Sequence, residues 1–190
     1  MIGLIQKVLF DMIEDQAGAS VLQEFKQRVG LSPEFVFRID TDYDDAQMHE
    51  FLQETCKLLQ VDADTAFSLY AKYFLAAALE LFPAFFRMSH SAREFLARQP
   101  AIHNIMASGL RDPERRKIIN DKFAMIDHIQ GPLEVSYRSE NQWCSLFMAL
   151  AREVAAHYGE SVSIEIPDCR KRGAERCTFH LQFVRISTDD

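Results

Sequence analysis

The chain opens on an amphipathic pattern in which Leu4, Ile5, Val8, Leu9, Met12 and Ile13 recur at the helical period until Gly18 breaks it. A second helix is expected from about Ser20 to Gly30, with Pro33 just beyond. Residues 35–39 read as extended and lead into an acidic run at 40–45. A calcium loop starting there would need glycine where Asp45 stands and a bidentate glutamate where Phe51 stands. The run is therefore read as a cap: Asp44 or Asp45 starts the helix carrying Phe51, Leu52, Leu58 and Leu59. Asp62 or Asp64 starts the next, which carries Phe67, Tyr70, Ala71, Phe74 and Leu75. Ser91 and Glu94 form a capping box before Phe95 and Leu96. Pro100 is expected to interrupt, with a short helix of Ile102, His103 and Met106 following up to Gly109.

Past about residue 120 the period changes. Residues 123–129 and 133–137 read as short strands separated by Gly131-Pro132. Residues 143–158 form a strongly patterned helix (Leu146, Phe147, Leu150, Val154) closed by Gly159 at its C′ position. Residues 162–166 and 177–183 then alternate with period two. A helical lobe followed by ββαββ predicts an α+β fold with a four-stranded antiparallel sheet.

Composition narrows the function classes. In 190 residues, 21 Lys+Arg against 28 Asp+Glu leave a formal charge of -7, which disfavours nucleic acid and anionic membranes as partners. The longest apolar run, Tyr73 to Leu79, is far short of the roughly 20 residues of a bilayer span. Met1 leads directly into the first helix without a basic leader, so a cytoplasmic protein is expected. In that setting the four cysteines, Cys56, Cys144, Cys169 and Cys177, are expected as reduced thiols or metal ligands, not disulfides.

No glycine-rich phosphate loop, nucleophile elbow or HExxH occurs, and nothing argues for an enzyme. His103 is the most suggestive histidine, on a short helix between Ile102 and Ile105 and downstream of Phe82, Phe85, Phe86 and Phe95. A single imidazole among apolar residues is either a packed core side chain or the proximal ligand of a heme, whose porphyrin supplies the other four nitrogens. His49 and His157 look like solvated helix positions. Cys169 and Cys177 flank a loop with Arg170, Lys171, Arg172 and Arg176, a cationic setting that favours thiolate. The spacing is not CxxC, so a hairpin with two reduced thiols and a metal site both stay open.

Taken in order, these residues resemble the heme–nitric oxide/oxygen binding domains (H-NOX, HNOB) over almost the whole chain, in the bacterial stand-alone type. The resemblance rests on Met1 to Ile5 with Asp11-Met12, on Tyr43-Asp44-Asp45, on Glu94-Phe95-Leu96 before Ile102-His103, and on Tyr137-Arg138-Ser139-Glu140-Asn141. It implies a single domain over 1–190, with a helical lobe at about 1–60 and a heme and sheet lobe at about 61–190. It implies heme b with His103 on the iron and Tyr137, Ser139 and Asn141 at the propionates. Ile5, Leu9, Phe74 and Leu146 would lie on the gas side. Asn141 replaces the family's arginine, so Arg138 or Arg176 is expected to restore charge there. A bacterial branch carries a zinc-binding cysteine cluster, which Cys144, Cys169 and Cys177 match. Leu146 stands where a fourth cysteine would fall, and His180 is the remaining fourth ligand if its strand faces the right way. The function implied is a nitric oxide sensor, binding CO as well, that signals to a separate effector such as a histidine kinase or cyclic-dinucleotide enzyme. The alternative is a heme-free regulatory module with a zinc- or redox-responsive cysteine cluster.

Overall fold

The computed structural model describes residues 3–186 apart from 40, 42, 110, 129, 130 and 140. Met1, Ile2, Asp40, Asp42, Ile129 and Glu140, which entered the expectations above, lie outside the described residues. The chain forms two compact units, Met1–Leu81 and Phe82–Asp190.

The first unit is helical: α1 (Leu4–Ala17), α2 (Ala19–Arg28), α3 (Asp45–Leu59) and α4 (Ala63–Leu81). α1 buries Leu9, Met12 and Ile13, the face its periodicity predicts, and packs on α2, α3 and α4. Gly18, at φ 88°, turns the chain between α1 and α2, a conformation that favours glycine. Asp44 caps α3 by accepting from the Ala46 N–H at 2.9 Å, and Asp62 accepts from the Thr65 N–H at 2.7 Å ahead of α4's second turn. Phe10, Phe25, Phe37 and Phe51 meet mostly edge to face, with Phe10–Phe37 centroids 5.0 Å apart. Gly3 is needed for contact: its N–H bonds the Thr41 carbonyl at 2.8 Å, and a Cβ there would come within 2.1 Å of the Arg38 carbonyl oxygen.

The second unit runs α5 (Pro83–Arg87), α6 (Ala92–Ala97), α7 (Gln99–Ala107), α8 (Pro113–Asn120), β1 (Phe123–Asp127), β2 (Leu133–Tyr137), α9 (Cys144–His157), β3 (Glu160–Asp168), a 3₁₀ turn (Arg170–Arg172) and β4 (Cys177–Arg185). The sheet is antiparallel with order β1-β2-β4-β3, the α+β arrangement expected. Leu133, Val135 and Tyr137 of β2 and Cys177, Phe179 and Leu181 of β4 form its buried face, while α9 packs on β3 and α6.

Two local expectations change. Pro100 lies in the first turn of α7, where its missing N–H would have had no partner anyway, so it starts a helix instead of interrupting one. Residues 113–120 form α8, which the helical reading omitted. Asp112 caps it through the Glu114 N–H at 2.9 Å, and Pro113 follows at the first position.

Candidate functional site

α7 places His103 against β1. Its ring meets Phe123 edge to face at 4.8 Å. Phe123 stands opposite Tyr137 across the β1–β2 ladder, with centroids 5.0 Å apart. Tyr137 stacks on Phe147 of α9 at 5.8 Å, and Phe147 meets Phe179 of β4 at 4.6 Å. An imidazole thus sits at the end of an aromatic row built from four elements. Burial, and secondarily the Lys122 ammonium, hold His103 down at about 4, so the ring is neutral at neutral pH. Among the described residues it makes no hydrogen bond. A neutral imidazole with a free nitrogen lone pair is the form that ligates iron.

Burial pushes the Tyr137 phenol up to about 12 despite a hydrogen bond with Ser139, so its proton stays in place. Ser139 is buried and Asn141 half-buried. The arginine beside this segment is neither of the two expected. Arg138 is exposed, and Arg176 donates to the Asp121 carbonyl at 2.7 Å. Instead, Arg170 donates from Nη1 to the Ser139 carbonyl at 2.7 Å, which brings a guanidinium to the segment where Asn141 lacks one. The sequence held no signal for this, because the 3₁₀ turn after β3 delivers Arg170. The donor set of neutral imidazole, phenol, hydroxyl and guanidinium fits a heme.

The three cysteines converge from α9, the end of β3 and the start of β4. Cys169 Sγ is 3.8 Å from both Cys144 Sγ and Cys177 Sγ, and all three thiols lie within 4.8 Å of one another. The cationic loop does not lower all three. Burial raises Cys144, and it raises Cys177 to about 11. At Cys169 burial pushes the same way, but the Lys171 N–H, the two neighbouring thiols and Arg172 outweigh it and hold the thiol below its ordinary value. His180 is no fourth ligand. It is three residues along β4 from Cys177, an odd step that puts it on the opposite face of the sheet.

Of the expected gas-side residues, Ile5, Leu9 and Phe74 belong to the first unit and Leu146 to the second. Leu9 is buried. Tyr70 stacks on Phe74 at 5.9 Å and donates its phenol to the Ile5 carbonyl at 3.0 Å, which gathers Ile5, Tyr70 and Phe74. Leu146 is half-buried on α9, next to Phe147 of the aromatic row. An open cleft of about 490 Å³ between α7 and α8 is lined by Asn104, Ala107, Ser108, Pro113, Arg116 and Lys117, with Asn120 and Asp121.

The family model for haem-NO-binding (HNOB) matches residues 2–166. The chain belongs to the haem-NO-binding family. Solved H-NOX structures share the fold of this HNOB chain. One is a Fe(II) unliganded A71G mutant from K. algicida, 21% identical, with TM-score 0.76 and 97% of each chain covered. Another is an H-NOX protein from S. oneidensis in the Fe(II)NO state, 16% identical, with TM-score 0.79, covering 97% of this chain and 100% of that one. A third is an oxygen complex of an H-NOX domain related to soluble guanylate cyclases, 18% identical, with TM-score 0.77 and full coverage of both. No curated protein matches the chain. Among the described residues, no helix is long and apolar enough to cross a membrane.

Proposed function

We propose that this HNOB chain is a heme-based sensor of nitric oxide, which also binds CO, and that it passes its signal to a separate effector of the histidine kinase or cyclic-dinucleotide type. The observation that carries the reading is His103, a neutral imidazole without a hydrogen bond among the described residues, set against the Phe123–Tyr137–Phe147 row. Heme b, when bound, supplies an iron that takes diatomic gases. His103 supplies the protein's ligand nitrogen. Tyr137 and Ser139 carry hydroxyls suited to the propionates, and the Arg170 guanidinium compensates for the charge that Asn141 lacks.

Gas preference follows from side-chain chemistry. Ile5, Leu9, Phe74 and Leu146, the residues the family resemblance assigns to the gas side, have no donor, and the Tyr70 phenol is committed to the Ile5 carbonyl. Bound O₂ needs a donor for its partial negative charge and nitric oxide does not, so NO and CO are favoured over O₂. α7 packs on α8 and β1, so displacement of His103 is felt in both elements.

The test is an absorbance spectrum of purified protein, oxidised, reduced and after NO addition. A Soret band that shifts with NO and CO, no stable ferrous–O₂ form, and a His103→Gly variant that recovers the band only with added imidazole are expected. A protein that takes up no heme on reconstitution with hemin overturns the proposal.

The three thiols support a further cofactor. Cys144, Cys169 and Cys177 would hold zinc, which suits a soft, buried set of sulfur ligands.

A further inference from the structure

The solvent-side face of the sheet carries a second group of ligand-type side chains, separate from the thiols and from His103. Alternation places Glu134 of β2 and His180 of β4 opposite one another, turned away from the buried face of Leu133, Val135, Phe179 and Leu181. Glu165 of β3 is the cross-strand partner of His180 on its other side. Ile126 of β1 is opposite Glu134, and His128 lies two residues further on, in phase with this face. His128 Nε2 and His180 Nε2 are each 3.8 Å from the same atom, Glu134 Oε2.

That distance is informative. It exceeds the roughly 2.7–3.2 Å of a hydrogen bond, so neither imidazole is docked on the carboxylate. It lies close to the edge of about 3.3 Å between two ligands of a tetrahedral zinc-type ion, given metal–ligand bonds of about 2.0–2.1 Å. Among the described residues the cysteine trio is drawn together as a metal-ligand group and these three are not, so closing this group requires the imidazoles to swing toward each other about Glu134. Both have room, with side-chain exposures of 51% for His128 and 33% for His180.

The backbone beneath them is held firmly. Arg93 donates to the Asp127 carboxylate, to the His128 carbonyl at 2.6 Å and to the Gly131 carbonyl at 2.9 Å, which ties down the start and end of the β1–β2 connection. Gly131 also donates to the His128 carbonyl at 3.3 Å, and a Cβ on it would stand 3.1 Å from the His128 Cβ. Glu134 and His180 sit on paired strands.

We propose that His128, Glu134 and His180 form a surface site for a divalent first-row ion of the zinc type, with Glu165 or water completing the shell. Two imidazoles and one carboxylate match the borderline donor preference of zinc and its neighbours, whereas calcium and magnesium take oxygen shells. This site does not depend on heme and differs in chemistry from the thiol cluster.

The test is a Co²⁺ titration of the full, untagged chain. Cobalt on the cysteines gives intense thiolate charge-transfer absorption, whereas cobalt on imidazole and carboxylate gives only weak ligand-field bands. A second equivalent with ligand-field bands alone is expected. It should weaken by at least about tenfold in His128→Ala, His180→Ala and Glu134→Gln while the thiolate signal persists. It should also survive in Cys169→Ser, which separates the two sites. Circular dichroism checks that the surface variants fold. Saturation with the thiolate signal alone, or a second equivalent unchanged in both histidine variants, overturns the proposal.

Discussion

A neutral histidine whose ring is largely withdrawn from water ties stability to pH, and His103 makes that dependence calculable. The ring is held at about 4 in the folded chain, first by burial and second by Lys122, against 6.5 when unfolded. Between those values the unfolded chain binds a proton that the folded chain does not. Its contribution is therefore constant well above pH 6.5 and is lost as pH falls toward 4. Integrating the two titrations from pH 7 to pH 5 gives a loss of at most about 2 kcal/mol, from 1.36 kcal/mol per unit. The perturbation is His103→Leu, which keeps an apolar group against Phe123 and removes the proton site. The assay is urea unfolding of heme-free protein at pH 7 and pH 5. Wild type should lose up to about 2 kcal/mol more than the variant across that step. Equal losses in both proteins would refute the burial argument and, with it, the claim that the imidazole is neutral and available for iron.

Two further predictions rest on separate observations. Gln6 is fully buried on α1, and neither its Oε1 nor its Nε2 has a partner among the described residues. Gln6→Met should therefore stabilise the chain by about 1–2 kcal/mol, visible as a rise of a few degrees in a thermal melt, and a lower midpoint would show that the amide is satisfied. Cys169 is the central thiol of the trio, so Cys169→Ser should strip stoichiometric zinc from the purified protein as measured by elemental analysis. Unchanged zinc content would remove the cysteines from consideration.

Much of the fold was legible because the signals are local. A period of 3.6 or 2 is a property of neighbouring residues, and so are the caps at Asp44, Asp62 and Ser91, whose hydroxyl accepts from the Glu94 N–H at 3.1 Å. The omitted helix α8 had the same kind of signal in Asp112-Pro113-Glu114. The failure of His180 as a thiol-cluster ligand was also readable, since three residues along a strand reverse the face.

The linear chain determined which face of each element is apolar, where most helices start, and that one histidine lies on an apolar helix ahead of a sheet. Those properties depend on backbone geometry repeated over a few residues. Tertiary structure alone decided that Cys144 and Cys177 meet at Cys169, that Arg170 reaches the Ser139 carbonyl, and that Glu134 stands between His128 and His180. Each of these depends on strand order, ladder register and the course of a connection, which are set by closing long loops onto one shared core. No spacing along the sequence encodes the distance between residues brought together in that way.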